Sequence, residues 1–262
     1  MCRLLGYLGE PISLDRLLLK PDHSLIVQSY QPKEMTSGLL NADGFGVGWY
    51  HPQRHTAPFT YKNTQPVWND TNLPNLSRYI ESHCVLANVR SATPGIPVDL
   101  SNCQPFQHHH ILGIHNGFIA NFRKTLYRPI REQLSDPVYQ SIQGNTDSEH
   151  IFALLVQELE QHPELSLATA LQRVLTIVLD LAQQYQTDFS ANIIVSDGQQ
   201  LVASRLANRP PTPTLYWLRD DLLFPQSVVI ASEPLFEGNW TSFDDRTLLI
   251  INNDLNLESV PI

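Results

Sequence analysis

The sequence has few charged residues and a strong excess of acids among them. Charged residues make up 16% of 262 positions, with 17 Lys+Arg against 26 Asp+Glu and a formal net charge of −9 at pH 7. So acidic a chain binds poorly to a nucleic-acid backbone or to an anionic membrane, and we expect neither as a partner. The hydrophobic share of 42% is ordinary and excludes a disordered chain.

The sequence also lacks a disulfide framework, a membrane span and a signal peptide. Its three cysteines are few and odd in number, which favours a reducing compartment. No apolar run approaches the ~18 residues of a membrane span. The apolar stretch after Arg3 stops at Glu10 and Pro11, unlike a signal peptide. We therefore expect a cytoplasmic protein. Because no repeat or convincing linker interrupts the chain, we expect one domain over residues 1–262.

Apolar periodicity predicts strands first, then helices, then strands again. The Asp197-Gly198 turn between two apolar runs indicates a hairpin. This order indicates an α+β fold with mostly antiparallel sheets, rather than a doubly wound sheet. The predicted strands cover residues 2–8, 44–50, 59–62, 84–89, 111–115, 191–196, 201–205, 228–232 and 246–252. The predicted helices cover 14–19, 73–81, 149–160 and 167–182, and the last is apolar nearly all round, which predicts burial.

Cys2 is the first candidate for chemistry. Removal of the initiator Met is efficient before a small residue, and would leave a thiol and a free α-amine on one residue. An α-amine with a pKa near ~8 suits a base at neutral pH, and a thiol near ~8.5 needs little help to become a thiolate. One residue would then supply both nucleophile and base. Its position alone favours the alternative, a cysteine simply packed near the start of a strand.

Three later segments each have an ordinary explanation when taken alone. An Arg after a strand is usually solvated, Asn-Gly is usually a turn, and an Asp before a helix is usually a cap. Together with Cys2, in this order along the chain, they are far more specific. The segments are Asn88-Val-Arg-Ser-Ala-Thr93, Ile111-Leu-Gly-Ile-His-Asn-Gly-Phe118 and Gln143-Gly-Asn-Thr-Asp-Ser-Glu149.

This order resembles the class II glutamine amidotransferases. Further segments look like a stand-alone branch of that family, with greatest similarity to the γ-glutamyl hydrolase of ergothioneine biosynthesis, up to about Leu235. We expect no synthase or sugar-isomerase domain to follow. The resemblance implies an N-terminal nucleophile hydrolase, a four-layer αββα sandwich of two mostly antiparallel sheets. The segments are Cys2–Gly9, Asn41–Trp49, Asn88–Thr93, His115-Asn116-Gly117 and Ala231-Ser232-Glu233-Pro234.

The resemblance implies catalytic roles for three residues. Cys2 would attack the γ-carbonyl of a glutamyl group, with its own α-amine moving the proton. Asn116, through its side-chain amide, and Gly117, through its backbone N–H, would form the oxyanion hole. Losing one such donor typically costs about 3 kcal/mol of transition-state stabilisation, so Asn116 is expected to matter for rate more than for folding.

The resemblance also implies how the substrate is held. Arg90 would bind the α-carboxylate, with Thr93 assisting, and Asp147 would bind the α-ammonium. A zwitterionic tail needs one cation and one anion at fixed positions, and an Arg fork suits a carboxylate. The chain departs from the family at Pro94, where glucosamine-type members carry His, and at Asn102-Cys103-Gln104-Pro105, where Asn-x-His-Pro is common.

The implied activity is hydrolysis of a γ-glutamyl amide through a Cys2 thioester, releasing glutamate and an amine that the resemblance identifies as hercynylcysteine sulfoxide. Two alternatives stay open. One is a glutaminase that supplies ammonia to a separate synthase. The other is a non-catalytic glutamyl-binding or scaffold protein, which a retained Met1 would favour. We expect no cofactor and a small-molecule substrate, with a homo-oligomer or a synthase partner left open.

Other motifs carry weaker hypotheses. His108-His109-His110 invites a metal interpretation, but neighbouring strand residues point to opposite faces, so we expect no metal there. Cys84 and Cys103 are expected to be unremarkable thiols. The Gly44–Gly48 stretch lacks the Lys-Ser/Thr of a phosphate loop, so close backbone packing is expected there instead. Ser232-Glu233-Pro234 is expected to be a bend that ends a strand.

Overall fold

The computed structural model describes residues 2–35, 38–51, 57–93 and 95–262, which form two β-sheets between two layers of helices. The strands are β1 Arg3–Ser13, β2 Phe45–Trp49, β3 Phe59–Asn63, β4 Glu81–Val89, β5 Phe106–His108, β6 Ile111–Ile119, β7 Phe189–Ser196, β8 Gln200–Arg205, β9 Tyr216–Arg219, β10 Ser227–Ala231, β11 Thr241–Ser242, β12 Thr247–Asn252 and β13 Leu257–Pro261. The α-helices are α1 Leu14–Leu18, α2 Leu25–Tyr30, α3 Leu73–Tyr79, α4 Tyr127–Arg131, α5 Asp136–Ser141, α6 Asp147–Gln161 and α7 Leu167–Gln184.

The first sheet has the strand order β11-β9-β10-β1-β4-β2-β3, and the second has the order β13-β12-β8-β7-β6-β5. The pairings given for both sheets are antiparallel. β1 therefore lies in the middle of its sheet, between β10 and β4. A chain that begins in a central strand has its first residues surrounded by neighbouring strand ends.

Alternating strand residues divide the apolar core into three layers, as the period of a strand requires. One set of side chains on the first sheet packs against α1, α2 and α3; it includes Leu5, Tyr7, Val85, Ala87 and Val229. The opposite set meets the second sheet; it includes Leu4, Leu8, Leu86, Leu112, Ile114 and Ile194. The outer face of the second sheet packs against α6 and α7, with Leu154, Leu171, Val174, Ile193 and Val195 buried between them. The predicted four-layer αββα sandwich is confirmed.

Several predicted elements are confirmed and several are wrong in extent. The hairpins β2–β3 and β7–β8 pair as predicted. The strand predicted to end at His115 continues to Ile119, so Asn116-Gly117 is strand and not turn. Helix α7 is amphipathic rather than buried all round, because Thr169, Arg173, Thr176 and Asp180 face solvent. Strands β9 and β13 were not predicted, since both are short and largely half-exposed or exposed.

The glycines of β2 permit a close backbone approach, as the sequence predicts. A Cβ atom on Gly46 would lie 2.0 Å from the carbonyl oxygen of Gln104. The segment that leads into β5 can therefore come near β2 only because this residue has no side chain. Among the described residues no helix is long and apolar enough to cross a membrane.

Candidate active site

Cys2 lies just before β1, next to the end of β4. Arg3 is opposite Val89 in the antiparallel register, so Cys2 continues the strand beside Arg90. Its Sγ is 4.0 Å from the carbonyl oxygen of Ser91. Cys2 is a half-buried free thiol. The question of Met1 removal concerns a residue outside the described ranges.

Arg90 is a buried cation held in place by the loop that leads into β2. Its side chain is 4% exposed, and Nη1 donates to the Asp43 carbonyl at 3.2 Å. The Asp43 carboxylate in turn accepts from the Ala92 N–H at 2.8 Å. Burial raises the pKa of the Cys103 thiol. The positive charge of Arg90 opposes that rise, and Cys2 adds to it. Because the strand register places Cys2 beside Arg90, this fixed guanidinium belongs to the residue next to the candidate nucleophile.

Thr93 is less well placed to assist Arg90 in this structure. Its side chain is exposed, and its described hydrogen bond runs from the Ile96 N–H to its backbone carbonyl at 3.0 Å. Assistance from Thr93 stays a prediction. The departure from the family pattern at Pro94 falls outside the described residues.

Asn116 is fully buried in β6, directly opposite Asn192 of β7. Neither its Oδ1 nor its Nδ2 has a hydrogen-bond partner among the described residues. Asn192, by contrast, donates through Nδ2 to the carbonyls of Pro213 at 3.0 Å and Thr214 at 3.1 Å. A buried amide without partners is costly to keep, which is typical of a group kept for a ligand.

Gly117 follows Asn116 in β6, where no side chain fits. A Cβ there would lie 1.9 Å from the Ser190 carbonyl oxygen and 2.3 Å from His115 Nε2. His115 is buried, with Nδ1 2.9 Å from Ser148 Oγ and Nε2 3.1 Å from the Ser190 carbonyl. Burial lowers the pKa of His115, against a smaller opposing effect of Asp147. A neutral imidazole therefore joins β6 and β7 to the start of α6.

Asp147 is the first residue of α6 and ties this helix to the end of β6. Its Oδ2 accepts from the Ile119 N–H at 2.7 Å and its Oδ1 from the Ser148 N–H at 2.8 Å. The residue that caps the helix is Thr146, whose hydroxyl accepts from the Glu149 N–H at 3.1 Å. Asp147 is thus more than a cap, and its carboxylate is fixed against Ile119, which follows Gly117 by two residues in β6.

Glu233 was expected to belong to a bend, and the structure gives it a larger role. It is 1% exposed and accepts four hydrogen bonds. Oε1 accepts from Arg3 Nη1 at 2.8 Å and from the Glu34 N–H at 3.0 Å. Oε2 is 2.7 Å from His23 Nε2 and accepts from the Lys33 N–H at 2.8 Å. The sequence shows the Ser-Glu-Pro motif but no sign that this carboxylate is buried with an Arg.

The pKa of Glu233 predicts an acid-sensitive fold. Burial alone would raise it, but hydrogen bonds from His23 and two backbone N–H groups, with the Arg3 charge, lower it from 4.5 to about 2. The native state therefore binds this proton less readily than the unfolded state. Its stabilising effect is full above about pH 4.5 and is lost as the pH falls toward 2.

The size of this effect is about 3 kcal/mol over the whole window. We expect the free energy of unfolding in urea to fall more for the wild-type protein than for Glu233→Gln as the pH is lowered through that window. The Gln variant starts less stable at neutral pH because it leaves Arg3 unpaired. Parallel pH dependences of the two proteins would contradict the prediction.

The sequence argument against a metal at His108-His109-His110 assumed strand alternation, and that assumption is wrong here. His108 is the last residue of β5, and His109 has a left-handed φ of 49°, so strand alternation stops between them. The two rings lie 4.2 Å apart. Their donor atoms and a carboxylate oxygen of Glu160 lie within 4.8 Å of one another. His109 and Glu160 are exposed, and His108 Nε2 already lies 3.1 Å from Glu160 Oε1.

Cys84 is a packed thiol, as expected. It is fully buried between the sheets, 3.1 Å from Ser196 Oγ. Burial raises its pKa to about 12, against a smaller lowering by the Ser196 hydroxyl. This cysteine stays protonated at neutral pH, which makes it a poor nucleophile.

Comparison with known proteins supports the resemblance to class II glutamine amidotransferases. A family model described as class-II glutamine amidotransferases matches residues 1–219. The chain belongs to this family. It is therefore an amidohydrolase, as the resemblance implied. The match covers most of the chain, while a single domain through residue 262 stays a prediction.

Two relatives match nearly the whole chain. The γ-glutamyl-hercynylcysteine sulfoxide hydrolase of Mycobacterium tuberculosis (strain CDC 1551 / Oshkosh) is 32% identical over 250 residues, which are 95% of this chain and 92% of the relative. The probable glutamine amidotransferase DUG3 of Saccharomyces cerevisiae is 30% identical over 293 residues, 96% of this chain and 82% of the relative. The two names differ in substrate, so they do not fix the amide that this enzyme cleaves.

Solved structures share the fold. A glutamine aminotransferase class-II domain protein from Silicibacter pomeroyi superposes with a TM-score of 0.72 at 24% identity, covering 100% of this chain and 99% of that one. The glutamine phosphoribosylpyrophosphate amidotransferase of Bacillus subtilis gives a TM-score of 0.67 at 15% identity, covering 99% of this chain and 49% of that one. At these identities the likeness concerns the fold alone, and it agrees with the four-layer sandwich of this chain.

Proposed function

We propose that this enzyme hydrolyses a γ-glutamyl amide through a γ-glutamyl thioester on Cys2. The observation that carries the proposal is the buried, unpartnered amide of Asn116, in a fold where Cys2 adjoins a fixed Arg90 at the start of the central strand. An amide N–H in a dry site stabilises a developing oxyanion far better than it would in water. No pairing within the described residues competes for it.

The proposed reaction has two steps, acylation of Cys2 and hydrolysis of the resulting thioester. The Cys2 sulfur forms a bond to the γ-carbonyl carbon while the α-amine of Cys2 takes the thiol proton. The oxyanion is held by Asn116 Nδ2 and the Gly117 N–H. Collapse breaks the C–N bond, and the leaving amine takes the proton from the α-ammonium. Water then attacks the thioester carbon and gives a proton to the α-amine. Collapse breaks the C–S bond, the departing thiolate takes the proton from the α-ammonium, and glutamate and the Cys2 thiol are released.

Substrate recognition uses the two opposite charges that a glutamyl tail requires. Arg90 binds the α-carboxylate and Asp147 the α-ammonium, with Thr93 assisting Arg90. The hydrogen bond that Arg90 Nη1 donates to the Asp43 carbonyl orients the guanidinium. The N–H of Ile119 fixes one Asp147 oxygen at 2.7 Å, so the carboxylate is preorganised before substrate arrives.

Asp147→Asn tests this recognition. The amide keeps an oxygen to accept from Ile119, but it loses the charge that would bind the α-ammonium. We expect KM for a γ-glutamyl amide to rise about 10-fold, or about 1.4 kcal/mol. The thermal midpoint is expected to fall slightly. Steady-state kinetics and a melting curve measure the two effects, and an unchanged KM with a large fall in midpoint would assign Asp147 a structural role only.

For the physiological amide we propose γ-glutamyl-hercynylcysteine sulfoxide, as in ergothioneine biosynthesis. The relatives of that name support this choice because they match this chain almost end to end. The second candidate is a glutaminase that delivers ammonia to a separate synthase, and the yeast relative, named a glutamine amidotransferase, favours it.

Turnover of glutamine and of a bulky γ-glutamyl amide by the purified protein separates the two candidates. The proposed hydrolase turns over the bulky amide with the higher kcat/KM. Rapid turnover of glutamine that appears only with a partner synthase would replace it by the glutaminase. An electrophilic glutamine analogue is expected to add once to Cys2, as intact mass shows, and absence of both turnover and labelling would favour a binding or scaffold role.

A further inference from the structure

The turn after β10 forms hydrogen bonds with Arg3 and Leu4 at the start of β1. This turn, Ser232 with Glu233, is here called the Ser-Glu clamp. The Leu4 N–H donates to Ser232 Oγ at 2.9 Å, and the Ser232 N–H donates to the Leu4 carbonyl at 3.1 Å. Glu233 binds the Arg3 guanidinium at 2.8 Å, with both side chains 1% exposed. The clamp therefore holds the two residues that follow Cys2.

Arg3 connects the Ser-Glu clamp to Cys2, the candidate nucleophile. Its Nε donates to the Cys2 carbonyl at 2.7 Å while its Nη1 binds Glu233. The planar guanidinium fixes the angle between these two bonds, which a lysine ammonium on a flexible stem would not do. Burial lowers the pKa of Arg3, while Glu233 and Cys2 oppose that shift. The Arg3 side chain is thus a buried cation that links Glu233 to the Cys2 carbonyl, with one hydrogen bond to each.

A terminal nucleophile needs such a link. If Cys2 begins the mature chain, one planar peptide group joins it to the protein, and rotation about the single bonds on either side of that group would displace both its sulfur and its α-amine. A misplacement of about 1 Å can cost on the order of 10²-fold in rate. A hydrogen bond to the Cys2 carbonyl fixes the plane of that peptide group and so restricts the residue that must supply nucleophile and base together.

We propose that Glu233 and Arg3 are positioning residues that hold the Cys2 carbonyl, and with it the nucleophile, in its reactive orientation. This inference rests on the proposed function. The same carboxylate also accepts from the Lys33 and Glu34 N–H groups, in the segment that leads toward Asp43, the partner of Arg90. One buried acid thus binds both Arg3, which follows the nucleophile, and the backbone at Lys33 and Glu34.

Arg3→Lys tests the link with the least disturbance. The ammonium can still pair with Glu233, so the buried carboxylate keeps a cation, but the Nε–H bond to the Cys2 carbonyl is lost. We expect kcat for a γ-glutamyl amide to fall about 10- to 100-fold with KM nearly unchanged. Arg173→Lys is the matched control, since Arg173 pairs with Glu158 in the outer helix layer at 3.5 Å. It is expected to keep wild-type kcat.

Amide hydrogen exchange of residues 3–5 provides a readout that needs no substrate. Faster exchange is expected in Arg3→Lys and not in Arg173→Lys. Glu233→Asp, which keeps the charge and withdraws it by one methylene, is the second variant if Arg3→Lys does not fold; it is expected to lower kcat and to speed the same exchange. Iodoacetamide labelling confirms that the Cys2 thiol is intact in each protein.

The outcomes separate the positioning role from the proposed function. A folded Arg3→Lys protein with wild-type kcat or wild-type exchange overturns the positioning role. A rise in KM at constant kcat overturns it as well, because that pattern indicates substrate binding. A wild-type protein without turnover overturns the proposed function, and the exchange comparison then still decides whether Arg3 and Glu233 restrain Cys2.

Discussion

Cys2→Ala is expected to lower kcat for a γ-glutamyl amide at least ~10³-fold, because the proposed mechanism has no other group that forms the acyl-enzyme. The fold is expected to be unaffected. Cys2 is half-buried, and its described side-chain contact is a long one, 4.0 Å from Sγ to the Ser91 carbonyl. A loss of activity at constant thermal midpoint therefore identifies a residue that acts in the reaction and not in the core.

Cys84→Ala is the matched control. Its thiol is fully buried and hydrogen-bonded to Ser196, and burial raises its pKa to about 12. Removing it is expected to cost stability and leave kcat near wild type, the reverse of Cys2→Ala. Intact mass of the active wild-type protein is expected to lack Met1. Full activity in Cys2→Ala, or in a protein that retains Met1, would contradict the N-terminal nucleophile.

The sandwich could be predicted because its strands have strong local signals. β7 and β8 are apolar runs around Asp197-Gly198, and the alternation of Leu4 and Leu5 between two core layers follows from the period of a strand. The end of β6 was missed because Asn-Gly favours turns locally. Pairing with β7 overrides that preference, since Asn116 and Gly117 lie opposite Asn192 and Ala191.

The candidate site could be proposed from the sequence only where order along the chain carried the information. Cys2, Arg90, Asn116 and Asp147 stand in family order, and that order is visible in one sequence. The role of Glu233 is not, because it depends on contacts with Arg3 and His23, some 200 residues away. A buried ion pair between distant segments has no local signature. The Ser-Glu-Pro motif therefore looked like an ordinary bend.

Asn116→Ala is expected to lower kcat about 10²- to 10³-fold, or about 3 kcal/mol, with little change in KM. The lost group acts only on the oxyanion, which the bound amide does not yet carry. Stability is expected to stay near wild type, since neither polar atom of this buried side chain has a partner among the described residues. An unsatisfied buried amide costs about 1–3 kcal/mol, and its removal offsets the loss of packing.

Asn192→Ala is the control that the register provides. This side chain lies directly opposite Asn116 and is equally buried, but its amide donates to the carbonyls of Pro213 and Thr214. Its removal leaves the Thr214 carbonyl without this donor, while the Pro213 carbonyl keeps a hydrogen bond from Arg205 Nε at 2.9 Å. The free energy of unfolding in urea is therefore expected to fall by about 1–3 kcal/mol while kcat stays close to wild type. Two adjacent asparagines would then differ because one amide is paired within the fold and the other is kept free for the transition state. If Asn116→Ala instead loses stability and keeps its kcat, Asn116 belongs to the fold and the oxyanion hole lies elsewhere.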